Sequence, residues 1–159
     1  MRNWQMSGQE ISFIISHLKK DDVFFEYGSG YSTILFPRLV KKYISIEHSK
    51  NWYDWTKSYL PKNAELIFHE VKCKELTGWL REIDGTYEEF KDYVEAIGEL
   101  KPDVILIDGR ARLACAERVK NIDAKIFIHD YHRYEKDIKD YILIKKVGSM
   151  ALIKRSRNA

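Results

Sequence analysis

The chain has 159 residues, enough for one domain with a core of its own and too few for two of ordinary size. Its 45% hydrophobic and 32% charged residues are the proportions of a globular protein in water, and no apolar run has the length of a membrane span. With 27 Lys and Arg against 24 Asp and Glu, the net charge is only +3. The charges are interspersed apart from a basic tail at Lys154-Arg155-Ser156-Arg157, so there is no strong nucleic-acid footprint. The start, Met1-Arg2-Asn3-Trp4-Gln5, has no apolar core or small-residue cleavage site, and a cytoplasmic location is expected. Cys73 and Cys115 match no zinc spacing and are expected as free thiols, buried or half-buried.

Ser7-Gly8-Gln9-Glu10 has the form of a capping box, and Ile11, Ile14, Ile15 and Leu18 follow at helical spacing. The pattern predicts a first amphipathic helix to about Lys19. Val23–Tyr27 reads as a buried strand ending in glycines, and Ser32–Val40 as a helix that Pro37 weakens beyond its first turn. A second strand is predicted at Tyr43–Glu47, a helix at Trp52–Leu60 and a third strand at Glu65–Val71. Lys72–Asp84 carries no readable pattern. A helix over about Thr86–Leu100 precedes the clearest strand, Asp103–Asp108. Then come a helix at Ala111–Lys120, a strand at Ala124–His129 and a short helix at Tyr134–Lys139. Tyr141–Ile144 and Met150–Ile153, separated by Val147-Gly148, read as a hairpin.

Strands that are apolar throughout belong to a sheet covered on both faces, and their alternation with helices makes that sheet mainly parallel. The expected fold is therefore α/β: a three-layer, doubly wound, mainly parallel sheet with an antiparallel C-terminal hairpin strand. The whole chain, 1–159, is read as one domain with residues 1–20 as an N-terminal helix packed on it. In such sheets ligands sit beyond the carboxyl ends of the strands.

Four strand ends carry polar groups. The first gives Glu26-Tyr27-Gly28-Ser29-Gly30-Tyr31-Ser32-Thr33, where two glycines permit a tight turn and close approach of a ligand to the backbone. A dinucleotide fingerprint places its third glycine where Thr33 stands, which disfavours a nicotinamide-dependent dehydrogenase. An acid at Glu26 suits a cationic ligand better than a pyrophosphate. Glu47 ends the second strand about 20 residues beyond the glycine turn, the place of a ribose-binding carboxylate. The fourth strand ends in Asp108-Gly109-Arg110-Ala111-Arg112, the fifth in His129-Asp130-Tyr131-His132-Arg133.

Asp108 suits both a catalytic role and a helix N-cap. His129 suits a catalytic base, with Asp130 to orient it, and equally a histidine satisfied by backbone partners. Asp108, His129 and Asp130 also have the chemistry to hold a divalent cation, and His129-x-x-His132 is a weaker pair of the same kind. Arg110 and Arg112 suit an anionic substrate or a solvated helix start. His69 and Glu70 rank low as adenine neighbours, and Trp52, Trp55 and Trp79 are expected to pack on helices.

Phe24–Thr33 resembles the first motif of class I S-adenosylmethionine-dependent methyltransferases; Ile44–Glu47 resembles their second and Asp103–Asp108 their fourth. The resemblance runs from about Val23 to Ile153. Asp108–Cys115 and Ile128-His129-Asp130 further resemble a subgroup related to polysaccharide methyltransferases. The resemblance implies S-adenosyl-L-methionine as cofactor. It would be held by Glu26, Tyr27, Gly28, Ser29, Gly30, Ser32 and Thr33, by Glu47 and His48 at the ribose side, and by Asp108 near the sulfonium. Asp108, His129 and Asp130 are the catalytic candidates. Relatives of the catechol type bind magnesium with an Asp-Asn pair where this chain has His129-Asp130. The implied acceptor is an oxygen or nitrogen of a small molecule or glycan, with a homodimer as a further option. The alternative is a methyltransferase-fold protein that binds a nucleoside or partner without turnover.

Overall fold

The computed structural model describes residues 6–71 and 84–157. Cys73, Trp79 and most of the unreadable Lys72–Asp84 stretch lie outside them.

Helix α1 (Gly8–Ile15) starts as the sequence predicts, with Ser7 and Glu10 capping each other's backbone. It stops four residues earlier than expected, because the Ser16 hydroxyl and the His17 ring both bind the Phe13 carbonyl. Strand β1 (Val23–Tyr27) leads through the glycine turn into the single helical turn α2 (Ser32–Leu35), which Pro37 converts to a 3-10 turn over Phe36–Leu39. Then follow β2 (Lys42–Glu47), α3 (Lys50–Lys57) and β3 (Ala64–Phe68). Ser49 caps α3, which starts two residues before the predicted Trp52.

The long helix expected over Thr86–Leu100 is only α4 (Lys91–Glu95), flanked by turns. Strand β4 (Val104–Ile107), helix α5 (Arg112–Val119) and β5 (Lys125–Ile128) follow. The helix expected at Tyr134–Lys139 is replaced by a 3-10 turn at Tyr131–Arg133 and further turns. Strands β6 (Tyr141–Val147) and β7 (Met150–Arg155) form the hairpin. Its two-residue loop opens with Gly148 at φ +58°, a conformation that favours glycine.

The seven strands are ordered β3-β2-β1-β4-β5-β7-β6. β1 to β5 are parallel, while β7 runs antiparallel to β5 and to β6. This is the doubly wound, mainly parallel sheet with an antiparallel C-terminal hairpin that the strand pattern predicts. The core divides by the strand period of two. Phe24, Tyr43, Leu106 and Phe127 face α1 and the Phe36 turn; Phe25, Ile44, Ile105 and Ile126 face α4 and α5. The reversal of strand order between β1 and β4 opens the crevice where ligands of such sheets bind.

Candidate functional site

The same alternation sets the directions of the polar strand ends. Glu26, Ser45 and Glu47 continue the face that carries Phe24 and Tyr43, and Asp108 and His129 the face that carries Leu106 and Phe127. All of them turn toward the α1–α2 side of the sheet, at its carboxyl edge.

The glycine turn is fixed by a close backbone approach. Gly28 has φ +93°, and a Cβ there would stand 2.5 Å from the Gly109 Cα. A Cβ on Gly109 would meet the Tyr93 hydroxyl at 2.0 Å. The turns after β1 and β4 therefore seat on each other only because both are glycine. Gly30 differs: a Cβ there would meet nothing within 4 Å. Among the described residues, nothing in the packing calls for glycine at that position.

Glu47 is buried at the end of β2. Its Oε2 accepts the Ser29 amide and the Ser29 hydroxyl, both at 2.8 Å. Its Oε1 accepts the amides of His48 at 2.8 Å and Ser49 at 2.7 Å. The carboxylate thus bridges the glycine turn and the first residues after its own strand. The His48 ring packs against Phe90 and Tyr93, with its Nδ1 3.2 Å from Glu47 Oε1.

Glu26 lies beneath the turn with no exposure at all. The Ser32 hydroxyl donates to its Oε1, and the hydroxyls of Thr33 and Ser45 donate to its Oε2 at 2.6 and 2.7 Å. Burial pushes its carboxyl up to about 7, against the pull of the surrounding hydroxyls of Ser32, Ser45, Thr33 and Tyr43. Glu26, Ser32 and Thr33 direct their polar atoms at one another, and so shape the loop from below. Tyr27 requires a correction: its side chain passes to the opposite face and donates to the Val94 carbonyl at 2.7 Å, anchoring α4.

At the β4 and β5 ends, Asp108 Oδ1 lies 2.8 Å from His129 Nδ1. Asp130 does not orient this histidine, as its sequence position suggested. It has φ +54°, which turns its carboxylate to Arg112 Nη1 at 2.8 Å. Arg112 requires the second correction. It is 6% exposed, and also donates to the carbonyls of Gly109, His129 and Asp108. Its guanidinium ties the ends of β4 and β5 together and does not face a substrate.

The N-cap role weighed for Asp108 falls to Asp84, whose side chain accepts the Arg112 amide and whose carbonyl accepts the Ala111 amide. His132 is exposed while His129 is buried, so they do not share a site. Among the described residues, no group of three or more His, Cys, Asp and Glu side chains is arranged to hold a metal ion. Cys115 is a buried free thiol whose ionisation burial disfavours. Among the described residues no helix is long and apolar enough to cross a membrane.

Sequence reasoning missed Glu10 and Asp84. Glu10 carried only a capping signal, and Asp84 ended a stretch with no pattern.

No family model matches the sequence, and no curated protein matches it. Solved structures do match. A candidate methyltransferase from Porphyromonas gingivalis W83 aligns with a TM-score of 0.61 at 14% identity, over 98% of this chain. The chain spans only 42% of that protein's length. Ribosomal protein L11 methylase from Lactobacillus delbrueckii subsp. bulgaricus gives a TM-score of 0.63 at 12% identity, covering 98% of this chain and 81% of that one. An S-adenosylmethionine-dependent methyltransferase from Thiobacillus denitrificans, solved with S-adenosyl-L-homocysteine, gives 0.54 at 10% identity, covering 77% and 48%. At these identities the likeness is one of fold.

Proposed function

We propose that this chain is an S-adenosylmethionine-dependent methyltransferase acting on an oxygen or nitrogen of a small-molecule or glycan acceptor. The observation that carries this reading is the pairing of two unlike glycines with one carboxylate. Gly28 is required by the fold, Gly30 is not, and Glu47 is hydrogen-bonded to the residue between them. A glycine that packing does not need leaves room for a ligand to approach the backbone. Glu47 is already oriented and held by backbone amides, which suits it to accept ribose hydroxyls. The donor that would yield is the Ser29 hydroxyl, because it alone among the four can rotate away.

When bound, the cofactor supplies an electrophilic methyl group on a sulfonium, so the chain's own tasks are alignment and proton removal. The turn at Gly28–Gly30 and Glu47 would position it at the β1–β2 side. Asp108, across the Gly28–Gly109 contact, would take the acceptor's proton. The fold shared with nucleoside-cofactor enzymes supports the reading, since ligands of these sheets occupy this edge.

Calorimetric titration with S-adenosyl-L-homocysteine tests it. The native chain is expected to bind, and Gly30→Ala to keep its melting temperature while losing about tenfold or more in affinity. Absence of binding at millimolar ligand overturns the cofactor, and unchanged affinity in Gly30→Ala overturns the loop as its seat.

A further inference from the structure

Helix α1 ends its capping box in the middle of the sheet's polar edge. Glu10 is 4% exposed, far more buried than a capping carboxylate needs to be. Its Oε2 accepts the Ser7 amide at 2.7 Å, and its Oε1 accepts the Ser149 amide of the hairpin turn at 2.6 Å. A Cβ on Gly148 would stand 2.7 Å from Oε1, so the turn can close over the carboxylate only with glycine there. On its inner side, Glu10 Oε2 lies 3.7 Å from His129 Nε2. His129 Nδ1 faces Asp108 Oδ1 on the other side, and the side chain is 6% exposed. One imidazole thus stands between a buried carboxylate, Glu10, and a half-buried one, Asp108, each of which faces a different ring nitrogen.

A neutral ring cannot satisfy both. With the proton on Nδ1, the Nε2 lone pair confronts the Glu10 carboxylate; with the proton on Nε2, the other lone pair meets Asp108 at hydrogen-bond distance. A proton on each nitrogen satisfies both contacts and balances charge that burial would otherwise penalise. Burial alone opposes the charged ring, and Arg112 opposes it too; Asp108 and then Asp130 favour it, and the net direction is upward. The Ser7 and Ser149 amides and His129 likewise draw Glu10 below the usual carboxylate range despite burial.

We propose that Glu10 is a positioning residue of the site: by facing Nε2 it keeps His129 doubly protonated, which holds the Asp108 carboxylate aimed as the proton acceptor. The proposal rests on the reading of Asp108 as that acceptor. It assigns the N-terminal helix a part in the site, through a residue 98 positions away from Asp108 in the chain. It also removes His129 from candidacy as the base, because neither ring nitrogen keeps a lone pair.

The test is nitrogen-15 spectroscopy of the histidine side chains in the full-length chain, with His129 identified by the signal lost in His129→Asn. In the native protein both ring nitrogens of His129 should carry the imidazolium signature at pH 7, with a titration midpoint above the ordinary 6.5. Glu10→Gln, shown to be folded by circular dichroism, should move that midpoint down by about one on the pH scale. If Glu10→Gln does not fold, Glu10→Asp provides the comparison, since it withdraws the charge by one methylene. A neutral His129 at pH 7 in the native chain, or an unmoved midpoint in the folded variant, overturns the proposal. The readout needs no cofactor, so failure to bind S-adenosyl-L-homocysteine would sink the methyltransferase reading separately.

Discussion

At the scale of single residues, Glu26 couples stability to pH. A carboxyl with no solvent contact is penalised when ionised, and three serine and threonine hydroxyls only partly offset this. Its folded-state value of about 7 stands above the ordinary 4.5 of the unfolded chain. The folded state therefore binds the proton more tightly, so stability is full below 4.5 and falls as pH rises through 7. The fall amounts to about 3 kcal/mol, since each tenfold difference in proton affinity between the two states is worth about 1.4 kcal/mol. Urea unfolding at pH 5 and pH 7.5 should show this decline in the native chain. In Glu26→Gln, which cannot ionise, the decline should be largely absent; an equal decline in both would place the effect elsewhere.

At the scale of elements, the structure depends on how strand ends are tied, and this is where the sequence was least legible. All five parallel strands could be read directly, because runs such as Val104–Ile107 have no periodicity but that of full burial. The helices were read too long. Phe90, Tyr93, Val94 and Ile97 have helical spacing and are all buried, yet turns hold Phe90 and Ile97; Gly98 at φ +53° ends the segment. Glu47, Gly28 and Asp108 were legible as strand-end residues. The partner of His129 was not, since a positive φ at Asp130 cannot be read from a non-glycine residue. Nor could spacing show that Arg112, rather than a ligand, receives that carboxylate.

Arg112 lies within 4 Å of Asp108 and Asp130 from the first turn of α5. Arg112→Ala leaves Asp108 with His129 alone and Asp130 with Arg133 alone, and withdraws the guanidinium donors from three carbonyls. Breaking a buried pair of this kind costs about 3–5 kcal/mol, and the partial exposure of Asp130 places the expected loss near the lower end. Chemical denaturation should show it, with little recovery in Arg112→Lys, because an ammonium cannot reproduce the fork that spans both strand ends. Full stability in Arg112→Ala would show that the staple is dispensable.

At the scale of the whole molecule, the proposed cofactor seat draws on three strands that are neighbours in space but not all in sequence. Gly28 hydrogen-bonds through its amide to the Ile46 carbonyl, Glu47 binds Ser29, and Gly109 packs on Gly28. A ligand seated there contacts β1, β2 and β4 together, and the unfolded chain offers it no comparable surface. Its binding energy therefore adds to folding by mass action, about 2.7 kcal/mol when free ligand is a hundred times its dissociation constant. For a chain of this size, that corresponds to a rise in melting temperature of roughly 5–10 °C. The rise should grow with the logarithm of S-adenosyl-L-homocysteine concentration. Glu47→Ala removes the ribose acceptor and one anchor of the turn, so it should melt lower without ligand and gain much less from it. Differential scanning calorimetry at a series of ligand concentrations separates these effects: the first is the intercept and the second the slope's onset. A variant with the native onset would show that Glu47 holds the loop alone and that the nucleoside, if it binds, is gripped elsewhere.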